Sequence, residues 1–134
     1  MLRLLVALMA SLSPSSAAHV AAWVYDVPAE ALLRVCHRES RCTAVGEHRI
    51  DAHLSTASYW GQVRLGHLDP RCQDPGGWAT RGAFGLNASA HWQYLPPCYQ
   101  PQWLDVPIVS AVVAAQKWER VCRGKRRRRW CPRR

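Results

Sequence analysis

Asp26-Val27-Pro28-Ala29-Glu30-Ala31-Leu32-Leu33-Arg34-Val35-Cys36-His37-Arg38-Glu39-Ser40 is the stretch on which the reading of the fold turns. Asp26 suits the cap of a helix, Pro28 suits a first turn where it loses no hydrogen bond, and Glu30 favours the positive end of the helix dipole. The helix is predicted to run to about Ser40. Leu32, Val35, Cys36 and Glu39 recur at helical spacing and share one face, so Glu39 falls on the apolar, inward side. Arg34, His37, Arg38 and Arg41 fall elsewhere around the helix and can stay solvated. An apolar face and a nearby helix C-terminus both disfavour a carboxylate, so the Glu39 pKa is expected to be raised. The plainer role for one inward Glu is an ion pair with a nearby arginine such as Arg41 or Arg81, and position alone favours that at least as much.

A second helix start stands at Asp105-Val106-Pro107, leading through Ile108-Val109-Ser110-Ala111-Val112-Val113-Ala114-Ala115 and Trp118 to Cys122, with Gly124 as its stop. Apolar residues cover nearly its whole circumference, which predicts the central buried helix of the domain. The shared Asp-Val-Pro openings are convergent capping, since nothing after them repeats. Thr43 to Arg81 reads as a long irregular lobe, with short helices or a small hairpin around Ser58 to Leu65, and Cys72 offers it a staple. Ala88 to Leu95 suits a short helix. Pro96, Pro97 and Pro101, with Trp92, Tyr94, Tyr99 and Trp103, make an ordered loop.

The N-terminus has Arg3, an apolar run from Leu4 to Leu12 and a Ser/Ala-rich segment to Ala22, the layout of a secretory signal. Cleavage after Ala18 or after Ala22 satisfies the small-residue rule, and Ala18 is favoured. The competing reading is the first buried helix of a cytosolic domain. Residues 1–18 are therefore expected to be a leader, 19–122 the folded domain and 123–134 a basic tail, in a secreted or periplasmic protein. About 116 residues then remain, enough for a single core. All six cysteines, Cys36, Cys42, Cys72, Cys98, Cys122 and Cys131, lie in that part and read as a disulfide framework. Cys122 is expected to pair with Cys131, and Cys36 or Cys42 to tie the Glu39 helix to a neighbouring loop. Eight of the 18 Lys and Arg residues fall in 123–134 and none of the nine acids does, so the basic pI of about 9.9 describes the tail and not the fold. The expected class is a mainly α, small disulfide-stapled helical domain with an irregular lobe.

The segment Ala31 to Cys42, with Glu39 followed by Ser40 at the end of an apolar-faced helix, resembles the catalytic helix of soluble lytic transglycosylases and goose-type lysozymes. Arg81-Gly82-Ala83-Phe84-Gly85-Leu86-Asn87 resembles that family's Gly-Leu-Met-Gln strand segment, whose backbone lines the sugar groove. The helix from Val106 to Arg120 would correspond to the long helix behind the cleft. The matched pieces cover roughly a third of the expected domain. Asn87 and Ala88 stand where the family has Met and Gln, and the stretch between Glu39 and Gly85 is longer than the family's.

The resemblance implies an α+β lysozyme-like fold and cleavage of the MurNAc-GlcNAc bond of peptidoglycan. Glu39 would protonate the glycosidic oxygen and then take the proton of the sugar's 6-hydroxyl as a 1,6-anhydro ring closes. A hydrolase would need a second carboxylate or a positioned water. Glu47, Asp51, Asp69 and Asp74 are the candidates, each also explained as a loop solubiliser or turn former. Phe84, Gly85, Leu86 and Asn87 are implied substrate contacts. Of the aromatic residues Trp78, Phe84, Trp92, Tyr94 and Trp103, most should be core, with one or two of Trp78, Trp92 and Tyr94 stacking on sugar. His37, His48, His53, His67 and His91 show no helical zinc spacing, so no metal and no cofactor is expected.

Arg126-Arg127-Arg128-Arg129 is most simply a solvated contact to anionic polymers of the wall or membrane, and specific nucleic-acid binding is not expected. A monomer is expected. The alternative to an enzyme is a non-catalytic, cationic secreted protein with a lysozyme-like fold that binds anionic surfaces, an antimicrobial or wall adaptor.

Overall fold

The centre of the molecule is the apolar helix that the sequence singles out. In the computed structural model, which describes residues 2–44, 52–71, 80–96, 98–124 and 129–132, the helices are α1 (Leu2–Ala10), α2 (Pro14–Tyr25), α3 (Ala29–Ser40), α4 (Ala52–Arg64) and α5 (Pro107–Val121). Short 3-10 turns span Trp92–Tyr94 and Pro101–Asp105. α5 buries Ile108, Ala111, Val113, Ala114, Ala115 and Trp118, and α2 and α3 pack on it and on each other. Among the described residues there is no strand, so a mainly α fold is what these residues form.

α2 belongs to this core. The Ser13 hydroxyl accepts from the Ser16 amide at 3.2 Å, and Pro14 fills the first helical position. Ala17, Ala18, Ala21 and Ala22 then form the buried face, whose lack of bulk permits close helix packing. Both candidate cleavage positions, Ala18 and Ala22, therefore lie inside a packed helix. α1, which covers most of the apolar run of the expected leader, leaves Leu4, Leu5 and Leu8 exposed. No helix among the described residues is long and apolar enough to cross a membrane.

Both expected aspartate caps are corrected. Asp26 is the left-handed residue that ends α2, at φ 51°, and Pro28 occupies the cap position of α3 without a side-chain bond. Asp105 closes the 3-10 turn before α5, and Val106 precedes the helix. In each case a preceding helical turn claims the residue first. α5 also ends before Gly124, with Cys122 at its cap. The stretch around Ser58 to Leu65 falls on a helix and its end and not on a hairpin. α4 is anchored through the buried Tyr59 and through Ser58, whose hydroxyl is 2.9 Å from that of Ser89. Ala88 to Leu95 forms turns and the Trp92–Tyr94 3-10 turn in place of an α-helix.

Cys122 pairs with Cys131 as expected. Cys36 and Cys42 pair with each other, so the bond clamps the end of α3 onto the residues that follow it and reaches no separate loop. Cys98 is also disulfide-bonded.

Candidate active site

Glu39 sits in the last turn of α3, one turn beyond the wholly buried Leu32, Val35 and Cys36 of the same face. The helix stops abruptly after it. Arg41 and Cys42 are both left-handed, at φ 56° and 57°, and their amides return to the carbonyls of Cys36 and His37. The Cys36–Cys42 disulfide brackets this end, and closing so short a loop is worth roughly 2 kcal/mol on the chain-entropy account. Glu39 is thus held on a stiff helix end whose side chain is neither in the core nor in open solvent.

Its carboxyl keeps 27% side-chain exposure and accepts from Arg38 Nε at 2.8 Å. Arg38 is itself 40% exposed, so this pair is a surface contact worth roughly 0–1 kcal/mol and leaves the carboxyl accessible. Arg81, one of the ion-pair partners weighed for Glu39, is engaged elsewhere.

Across from Glu39 stands the Arg81 to Leu86 turn. It is closed by an isolated antiparallel bridge, Arg81 N to Leu86 O at 2.9 Å and Leu86 N to Arg81 O at 3.0 Å. The strand implied for this segment is therefore a tight turn, because Gly82 and Gly85 take φ of +77° and +59°, which reverse the chain. A Cβ on Gly85 would lie 2.7 Å from Glu39 Oε2 and 3.0 Å from its Cβ and Cγ. Only a glycine lets this backbone lie against the Glu39 side chain.

Two ties fix the turn there. The Ser40 hydroxyl donates to the Ala83 carbonyl at 2.7 Å, joining α3 to the turn directly after Glu39. On the other side Arg81 grips Asp105 bidentately, Nε to Oδ1 at 3.1 Å and the second bond to Oδ2 at 2.7 Å. Gly82 is pressed against the Leu104 carbonyl, where a Cβ would come within 2.1 Å.

The implied substrate contacts separate accordingly. Phe84 and Leu86 are wholly buried and belong to the core. Gly85 keeps accessible surface beside Glu39. Asn87 spends its Oδ1 on the Ser89 hydroxyl at 2.6 Å and the Ala90 amide at 3.1 Å, capping the next turn. Trp92 stacks on His67 with ring centroids 3.9 Å apart, and Tyr94 is half-buried. Trp103 is exposed and borders, with Tyr94, an apolar groove of 350 Å³ against α5. Asp69 folds back onto Arg71, accepting from its amide and guanidinium as a turn former does. Trp78, Glu47, Asp51, Asp74 and His48 lie outside the described residues. No group of three or more His, Cys, Asp or Glu is placed to hold a metal among the described residues.

Sequence reasoning missed Lys117 and underused His91. Lys117 projects from α5 with its ammonium 4.3 Å over the Trp130 ring. Burial lowers its pKa to about 8 against the opposing pull of the Glu39 carboxylate, while Arg38 lowers it further. His91 is pushed down to about 4, by burial first and Lys117 second, while its Nδ1 bond to the Asn87 carbonyl at 2.6 Å opposes the shift. His91 is therefore neutral at pH 7 and carries its proton on Nδ1. The available signal was Lys117 itself, the first ionisable residue after ten residues of an otherwise uncharged helix. With the Cys122–Cys131 bond in place, Arg129 and Trp130 are brought back beside Lys117 and Arg120, so these two residues of the basic tail are built into the fold.

No protein-family model, no curated protein and no solved structure matches this chain.

Proposed function

We propose that this protein is a secreted or periplasmic, lysozyme-like enzyme that cleaves the MurNAc-GlcNAc bond of peptidoglycan, a lytic transglycosylase ahead of a hydrolase, with Glu39 as acid/base. The observation that carries the reading is the meeting of Glu39 with Gly85. Two segments 46 positions apart, each resembling a different part of the same family's site, lie in contact, and Ser40 bonds the turn. The disulfides fit an oxidising compartment.

Glu39 is accessible for a proton transfer at the edge of the core and rigidly held. Its carboxylic acid protonates the glycosidic oxygen as the C1–O bond breaks, leaving positive charge on C1 and the ring oxygen. The resulting carboxylate then takes the proton of the 6-hydroxyl as that oxygen bonds to C1, which restores the acid and yields a 1,6-anhydro sugar. One carboxylate serves both steps. The other carboxylate that supports the turn, Asp105, is committed to Arg81.

Mass spectrometry of purified peptidoglycan incubated with the oxidised protein, beside its Glu39→Gln variant, tests this. Anhydro-muropeptides from the wild type alone are expected, with the variant at least about 1,000-fold slower, the scale of a lost acid catalyst. Reducing-end products would instead make it a hydrolase. Folded protein that yields no products would leave the cationic binding protein as the better reading.

A further inference from the structure

Beside Glu39 the molecule has a second feature that sugar cleavage alone does not use. A cleft of 540 Å³ opens between the Ala90 to Tyr94 segment, the last turns of α5 and the disulfide-pinned Arg129-Trp130. Lys117, Arg120 and Arg129 line it, with His91, Tyr94 and Trp130, and among the described residues no acidic one lines it. Lys117 connects the two places, since its ammonium interacts with the Glu39 carboxylate and also lies over Trp130.

We propose that this cleft is a carboxylate subsite, which receives the anionic peptide stem carried by the sugar next to the bond that Glu39 cleaves. The proposal rests on the peptidoglycan reading and adds a requirement to it: the substrate is recognised by its stem as well as by its glycan. Arg120 and Arg129 present planar forks matched to carboxylates, and Lys117 adds a point charge deeper in the wall. Tyr94 and Trp130 offer flat apolar surface for the peptide's aliphatic parts. His91 is neutral and adds no charge of its own to the cleft.

The state of Lys117 is informative. A cation kept partly out of water, with Glu39 as the carboxylate acting on it and no acidic residue among the described lining of its cleft, gains from a further anion placed there. Binding a carboxylate there must favour the charged ammonium, so it must be accompanied by an upward shift of the Lys117 titration. The groups that face Lys117, namely Arg38, His91 and the side chain at position 39, with the lining Arg120 and Arg129, are the same in every probe's titration of one variant, including one that carries Glu39→Gln. The chain contains only Lys117 and Lys125, so ¹³C labelling at Lys Cε gives two resolvable signals.

The test uses the full disulfide-bonded chain carrying Glu39→Gln, which binds without turnover. Three probes are titrated: a GlcNAc-MurNAc disaccharide bearing its peptide with free carboxyls, the same compound with the carboxyls amidated, and the peptide-free disaccharide. The expected result is roughly tenfold tighter binding of the free-carboxyl form, about 1.4 kcal/mol, with a rise in the Lys117 titration midpoint for that form alone. Both effects should vanish in Arg120→Ser/Arg129→Ser, two exposed positions that leave Cys131 in place. Equal affinity for all three probes would overturn the subsite while leaving the glycan-cleaving reading intact. Preference for the free-carboxyl form without movement of Lys117, or persisting in the double variant, would overturn its location in this cleft. Failure of all three to bind would overturn both.

Discussion

Gly85 and His91 carry the sharpest consequences of single side chains. In Gly85→Ala a methyl would intrude on Glu39 Oε2 and would also hold a non-glycine residue at φ +59°. The strain is about 1–2 kcal/mol, and Glu39 has to move. The expected outcome is a modest loss of stability in urea unfolding and, on the proposed function, a much larger loss of turnover on peptidoglycan, since Glu39 is displaced and the fold is kept. His91 gives a pH signature. Its folded pKa of about 4 is below the ordinary 6.5, so between those values the unfolded chain binds more protons. Its neutral form supports the fold fully above about pH 6.5, and that support is lost as pH falls toward 4, by up to about 3 kcal/mol. Thermal unfolding of His91→Gln across pH 4 to 7 should show a shallower acid-side fall than the wild type. Neither residue was assigned this role by pattern. Gly85 was singled out through its neighbours in a motif, and His91 is one of six histidines with no distinguishing spacing.

At the scale of elements, the site is a helix end and a turn held together by few bonds. α3 was legible because its face repeats within one segment, and Leu32, Val35 and Cys36 are buried as that repeat requires. Its start was misassigned because Asp26 satisfies the local rule for an N-cap equally well, while α2, ending at that residue, uses it as a left-handed stop. Asp105 shows the same competition, with a larger outcome. Its carboxylate holds Arg81, a buried residue, and so holds the turn that covers Glu39. Asp105→Asn should remove this carboxylate from the Arg81 guanidinium and destabilise the fold by about 2 kcal/mol, less than for a fully buried pair because Asp105 is 30% exposed. On the proposed function, turnover should fall with the loosened turn although Glu39 itself is unchanged. Unchanged unfolding in urea would show that the pair does not secure the turn.

Across the whole molecule, α2 and the tail decide what counts as the domain. The Ser/Ala composition of 13–22 satisfies a cleavage rule and a close-packing rule at once, and in the folded chain Ala17, Ala18, Ala21 and Ala22 face the core. A chain beginning at Leu12 keeps the Ser13 cap and the whole of α2, whereas one beginning at His19 loses the cap and two buried alanines. The shorter chain should be less stable by about 2 kcal/mol, from about 1 for the cap and the rest from lost apolar burial. Urea midpoints of the two chains measure this, and equal midpoints would show that the first turns of α2 are dispensable.

The amino-acid sequence by itself determined the features that depend on near neighbours: the helical face ending in Glu39, the apolar central helix, the Cys122–Cys131 closure and the concentration of charge in the tail. Periodicity, composition and short loop closure act over a few residues, so they can be read in one dimension. Only the tertiary structure decided that Cys36 pairs with Cys42, that Arg81 takes Asp105 and Arg38 takes Glu39, that Phe84 and Leu86 are core, and that Gly85 rests on the carboxyl. Each of those outcomes is a choice among competing partners, and the choice is made by distances between segments that the packing of α2, α3 and α5 brings together.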